Sequence, residues 1–194
     1  MILDSWFKTL LLLLMKPGFV RLICLAALGI FAASSASAQG FHQLTIDDFK
    51  GVPRDDQFTV AYTNCSIGFH YQAHREKNYY MLDFTIELTM NNYKSWMDKK
   101  RITSNELLEE VLRHEQGHYT IAYMEQQELL RAVGKTVFYA DYQRTAQAIF
   151  DRIDAKYKQL NLDYDADTQH MQNKAQQLSW DAYFKKRLTY MPPD

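Results

Sequence analysis

The run from Thr103 to Gly134 reads as one long helix, and the way it carries His114-Glu115-Gln116-Gly117-His118 limits what the rest of the chain can be. Thr103-x-x-Glu106 has the form of a capping box and Gly134 that of a stop. Leu107, Val111, Ala122 and Leu129 fall on one stripe of a wheel turning about 100° per residue. His114 and His118, one turn apart, lie on that same stripe, with Glu115 at its edge. Ionisable groups on the buried face of a helix are costly to leave without a partner. Two imidazoles at i and i+4 can share one tetrahedral zinc ion, and the glutamate between them can handle the proton of a water molecule. The plainer reading, surface histidines or histidines satisfied in a core, leaves the three groups with nothing in common.

An H-E-x-x-H string arises by chance in roughly one chain in a hundred of this length and composition, so the helical context is what favours the metal. A hydrolytic zinc takes three protein ligands and keeps a fourth position open. The continuation H-x-x-G-x-x-H is absent, because Ile121 and Met124 stand where it needs Gly and His. Downstream glutamate is excluded too, since Glu125 and Glu128 are the last in the chain and share the motif's helix. What remains is one histidine, His170, with Asp163, Asp165 and Asp167 crowded before it. The expectation is therefore Zn2+ held by His114, His118 and His170, with Asp167, one helical turn before His170, as the competing third ligand. Asp165 and Asp167 are otherwise read as orienting a ligand histidine through its other nitrogen or capping the next helix.

The amino end differs in kind. Met15-Lys16 and Arg21, the apolar run Leu22 to Ala33, and Ala36-Ser37-Ala38 before Gln39 match the charged start, core and A-x-A site of a signal peptide. Residues 1–38 are read as that segment, with Met15 as an alternative start because Leu10 to Leu14 precede a complete n-region. A retained anchor helix is the competing reading, and the short core favours removal. The remaining residues, 39–194, suffice for a single domain with a core, exported to the periplasm or the exterior and not stably inserted in the membrane once the signal is removed. A formal net charge of −1 offers no basic excess for nucleic acid. Cys24 leaves with the signal, so Cys65 has no internal disulfide partner and reads as a buried small residue, with a reactive thiol as the competing reading.

Leu44 to Phe49 and Phe58 to Tyr62 are expected strands, separated by turn residues at Gly51, Pro53 and Asp55-Asp56, with Ser66 to Gln72 as a third. Tyr80 to Met90 is the clearest strand, with Tyr80, Leu82, Phe84, Ile86, Leu88 and Met90 alternating with a largely polar set. His70 and His74 fall in strand and turn, where their spacing places them apart, and read as surface histidines. Asn91 to Arg101 is a polar connection holding Trp96. After Gly134 a second helix is marked by Tyr142, Ala146, Ile149, Phe150, Ile153, Tyr157 and Leu160. A polar link at Asn161 to Asp167 follows, then a third helix from about Thr168 with Met171, Ala175, Leu178 and Ala182 in line. A sheet first and helices after predict an α+β fold.

Leu44-Thr-Ile-Asp-Asp-Phe-Lys-Gly51, Ser95-Trp96, Leu112-Arg-His-Glu-Gln-Gly-His-Tyr119 and Tyr164-Asp-x-x-Thr-x-His170, followed by Gln177 and Trp180, resemble a family of predicted secreted zinc-dependent proteases of bacteria, long grouped as a domain of unknown function. The resemblance implies a zincin-like domain, an N-terminal antiparallel sheet followed by the H-E-x-x-H helix and two packing helices. It also implies a second functional cluster at Tyr164, Asp165, Thr168 and His170. The family's pattern has Gly after the last histidine, where this chain has Met171.

Together these readings describe a secreted zinc metallopeptidase. Glu115 takes a proton from a metal-activated water and passes it to the leaving amine. Tyr164 either offers a hydrogen bond to the oxyanion or packs beside the site. The substrate is expected to be a peptide or protein, extended along a sheet edge. Two other readings compete: a non-catalytic zinc-binding envelope protein in which the metal staples helices together, and a zinc amidase acting on cell-wall peptides. Glu115 argues against the first, because a purely structural zinc has no need of a carboxylate beside it.

Overall fold

Alternation of apolar and polar residues over Tyr80–Met90 forms the longest sheet pairing among the described residues. This strand, β3, pairs antiparallel with β2 (Cys65–Arg75), placing Ile67 opposite Leu88, Phe69 opposite Ile86 and Tyr71 opposite Phe84. Directly opposed residues share a face, so these six side chains make one apolar surface. Phe69 extends it onto a helix, its ring centroid 5.3 Å from Phe84 and 5.1 Å from Phe150. The computed structural model describes residues 40–54 and 59–190. The expected signal peptide over 1–38, the alternative start at Met15, the turn at Asp55-Asp56 and the strand start at Phe58 lie outside the described residues.

A second sheet pairs β1 (Ala61–Tyr62) antiparallel with β4 (Trp96–Met97), so the stretch expected as a mere connection contains a strand with Trp96 buried. The strand expected at Leu44 to Phe49 is instead a 3-10 turn over Ile46–Asp48, closed by a reciprocal capping box between Thr45 and Asp48. Leu44 and Phe49 are both buried. Five positions apart, they would face opposite sides of a strand, and the turn brings both inward. Gln116 pins this segment across the motif helix, accepting from the Leu44 amide at 2.7 Å and donating to the His42 carbonyl at 3.1 Å.

The motif helix, α1, spans Asn105–Gly134. Its N-cap is Ser104, whose hydroxyl accepts from the Leu107 amide at 3.2 Å, one residue later than the capping box expected at Thr103. It is central to the fold and is buried on two sides, beyond the single stripe that the wheel predicts. Val111, Tyr119 and Tyr123 pack with Leu44, Phe49, Ala61, Leu88 and Met97. Ile121, Met124, Leu129 and Val133 pack with Ile86, Phe138, Ile153, Tyr157 and Phe184.

The second helix, α2 (Tyr142–Thr168), absorbs the link expected at Asn161 to Asp167. Its buried positions, Ala146, Ile153, Tyr157, Tyr164 and Thr168, keep one face inward through that stretch, and packing overrides the weak helix propensity of Asp and Asn. The side chain of His118 meets Asn161, and that of Glu128 meets Tyr157, so α1 and α2 run antiparallel. Gln169, His170 and Met171 then take left-handed backbone angles (φ 51°, 49° and 73°) and turn the chain. The third helix, α3, covers Lys174–Thr189 with Asn173 as its cap. It buries Gln177 and Phe184, whereas Leu178 of the expected stripe is exposed. Two small antiparallel sheets followed by three helices make the α+β architecture that the sequence predicts.

Candidate metal site

His114 and His118 point their Nε2 atoms at each other across one helical turn, 3.2 Å apart. Asp165, from the last turn of α2, brings Oδ1 to 3.3 Å from His114 Nε2 and 3.2 Å from His118 Nε2. The edges of a zinc tetrahedron with arms of about 2.0 Å are about 3.3 Å long, so the three atoms have the spacing of three vertices. Despite this proximity Asp165 Oδ1 is buried without a directed hydrogen bond, and Glu115 Oε2, also buried and on a residue lining the same cleft, is likewise unpartnered. Two imidazole nitrogens and a buried carboxylate oxygen without a hydrogen-bond partner, all converging on one point, have the donor types and spacing of a cation site.

The other imidazole nitrogens have partners of their own. His118 Nδ1 lies 2.8 Å from Asn161 Oδ1, and His114 Nδ1 lies 3.3 Å from Gln177 Oε1. In the neutral imidazoles each amide oxygen can accept the Nδ1 proton, which leaves Nε2 as the nitrogen available to a metal. Gln177 Nε2 donates to the Tyr164 hydroxyl at 2.8 Å, and that hydroxyl donates to the His114 carbonyl at 3.0 Å. The Tyr164 ring stacks on the His114 ring at 4.9 Å with 15° between planes. A Cβ on Gly117 would run into the Tyr164 ring and hydroxyl, so the second x of the motif has to be glycine for α2 to approach this closely.

Electrostatics at the site favour positive charge. Burial opposes protonation of His118, but the Asp165 carboxylate, the charge on Glu115 and the Asn161 amide together outweigh it and lift the imidazole to about 9. Burial also acts against the Asp165 carboxylate, and the His114 and His118 rings with the charges of His118 and His170 overcome it, holding the carboxyl well below the usual range. A proton bound there is in competition with any metal.

Of the residues expected at the site, the structure brings His114, Glu115 and His118 together and adds Asp165. His170, half exposed in the left-handed turn, reaches the group through Asp165, with its Nδ1 3.3 Å from Oδ1. Asp167 is turned away and accepts from the Trp180 indole at 3.1 Å. Tyr164 is fully buried with its hydroxyl engaged by His114 and Gln177, the packing alternative of its two expected roles. Asn161 and Gln177 carry a function that the sequence reading did not assign. Asn161 precedes Asp165 by four residues, so the two share a helix face, a signal visible only once α2 is extended to Thr168. His70 lies on the exposed sheet surface, and His74 pairs with Asp83 at 3.3 Å.

The site opens into a cleft of about 800 Å³ between α1, α2 and the segment 59–67. Cys65 lines it, but burial and the nearby Glu115 charge push its thiol up to about 12, which excludes a thiolate nucleophile at neutral pH. A family model described as "Bacterial protein of unknown function (DUF922)" matches residues 40–171. The chain belongs to this family. That span takes in the motif helix, Asp165 and His170, so the converging side chains all lie inside the family's domain, while Gln177 lies beyond the match. No curated protein and no solved structure matches the chain.

Proposed function

We propose that this member of the DUF922 family is an exported, zinc-dependent peptide hydrolase, with His114, His118 and Asp165 as the protein ligands and Glu115 as general base. One observation carries the reading: three potential ligand atoms 3.2–3.3 Å apart share an open cleft with Glu115, whose carboxylate is buried, has an unpartnered oxygen and acts on His118 through its charge. Zinc supplies Lewis acidity, which brings the pKa of water down to about 7 and neutralises charge on a carbonyl oxygen. Glu115, only 3% exposed, has an oxygen free to take that proton and pass it to the leaving amine. Asn161 and Gln177 hold the two imidazoles, and Tyr164 holds His114 by stacking, so the site is rigid before substrate arrives. Export is supported by Ala36-Ser37-Ala38 behind a short apolar run, and amino-terminal sequencing of secreted protein should begin at Gln39.

Zinc content and hydrolysis of a quenched-fluorescence peptide mixture test the reading together. Wild type should hold one zinc per chain and cleave. Glu115→Gln should keep the zinc and lose roughly a hundredfold or more in turnover, because it handles protons and does not hold the metal. His118→Ala should lose both. Stoichiometric zinc without peptide cleavage in wild type refutes the catalytic reading, and absence of zinc refutes the site.

A further inference from the structure

We propose that the end of the cleft remote from the metal-facing side chains is a subsite for one basic side chain of a bound peptide, received by Glu125 with Asp154. The inference rests on the reading of the cleft as a peptide site and names the chemistry that the site selects. Glu125 lies seven residues beyond His118 on α1, hence on the same face and about 10 Å along the axis. Asp154 lies eleven residues before Asp165 on α2, again on one face, and both carboxylates line the same cleft as the metal-facing group. The two antiparallel helices thus present one line of polar groups with the candidate metal site at one end and Glu125 at the other, and Ile121 and Ala122 lie between.

The charges at this far end do not balance. Glu125 and Asp154 face a single ammonium, that of Lys158, and Lys158 is spent on Asp154 at 2.8 Å. Asp151 adds further negative charge near Lys158. Glu125 is only 9% exposed yet makes no hydrogen bond with any described residue. Burial and the Asp154 charge push its carboxyl up to about 7, with Lys158 offsetting part of this. A mostly buried acid that has no side-chain partner and whose carboxylate lines a cleft can accept from a cation brought in through that cleft. A metal ion fits poorly, because the group of three converging ligand atoms among the described residues is His114, His118 and Asp165, and neither Glu125 nor Asp154 belongs to it. An ammonium or guanidinium on a long apolar stem fits better, with the stem over Ala122 and the head at Glu125. At about 3.3 Å per residue of extended chain, the lysine or arginine would stand about two or three residues from the bond at the metal site.

Fluorescence anisotropy with two labelled, acetylated nonapeptides of alanine and serine, one with a central lysine and one with norleucine there, tests this through binding alone when read before appreciable cleavage. Wild type should bind the lysine peptide about tenfold more tightly, as a charge-assisted hydrogen bond in a partly buried site implies. In Glu125→Gln the ratio should fall to about one, and in Asp154→Asn, where Lys158 is released toward Glu125, it should shrink as well. Equal affinities in wild type, or a preference that survives in both variants, overturn the assignment. So does a calcium or zinc site that vanishes in Glu125→Gln, which would make the ligand an inorganic cation. Lysine preference without any hydrolysis would overturn the proposed function and leave this subsite standing. Hydrolysis without lysine preference would do the reverse.

Discussion

Asp165→Asn isolates the third position of the proposed metal site, because it keeps the shape of the side chain and removes the charge and one oxygen. Asp165 Oδ1 stands 3.2–3.3 Å from both motif nitrogens, whereas His170 contacts the group from outside through that same oxygen. Apparent zinc-binding free energies of about 10–16 kcal/mol for four-ligand sites correspond to roughly 3 kcal/mol per ligand, more than a hundredfold in Kd. Asp165→Asn should weaken zinc by at least that factor. His170→Ala, which removes a neighbour of a ligand, should cost about 10 to 100-fold. Asp167→Asn should leave affinity near wild type, since Asp167 faces Trp180. Competition against a chromophoric zinc chelator near neutral pH ranks the three variants, with circular dichroism of the zinc-free forms to show that each folds. A larger loss in His170→Ala than in Asp165→Asn would refute the ligand assignment and make His170 the third ligand.

Gly117→Ala should destabilise by about 1–3 kcal/mol, or by more if Tyr164 cannot shift, and should weaken zinc through the displaced α2, as thermal melting and metal titration would show. A melt like that of wild type would mean the helices are not so close. Glu125 sets a pH dependence. Its carboxyl rises on folding from 4.5 to about 7, so the unfolded chain releases its proton first, and stability present below pH 4.5 is lost as pH rises toward 7. Urea unfolding should show Glu125→Gln gaining on wild type across that window, reaching about 1–3 kcal/mol by pH 8; parallel profiles would rule out a buried acid. Met171, at φ 73°, should accept glycine with a net change within about 1 kcal/mol, because relief of the left-handed strain offsets lost packing. Met171→Val should cost clearly more, and equal effects of the two would deny the left-handed turn.

Much of this was legible because it rests on short-range periodicity. The period of two over Tyr80–Met90 and the i, i+4 placement of His114 and His118 are properties of local backbone geometry, and the structure keeps both. The length of α1 was legible to within a residue or two. The 3-10 turn at Ile46–Asp48 was not, since only the burial of both Leu44 and Phe49 separates it from a strand.

The carboxyl end shows where local reading stops. Propensity placed a link at Asn161 to Asp167, yet Tyr164 and Thr168 pack against neighbouring elements and draw the helix through it. That extension turns Asp165 and Asn161 to one face and aims both at His118. Elimination along the chain narrowed the third position to His170 and Asp167, because it weighed residue types and could not weigh direction. The sequence by itself determined the chemistry, a pair of imidazoles with a glutamate between them on a helix. Tertiary structure alone decided which distant carboxylate meets them, because the approach of α2 to α1 depends on a glycine at 117, a tyrosine ring at 164 and a left-handed turn at 169–171, contacts that no local pattern encodes.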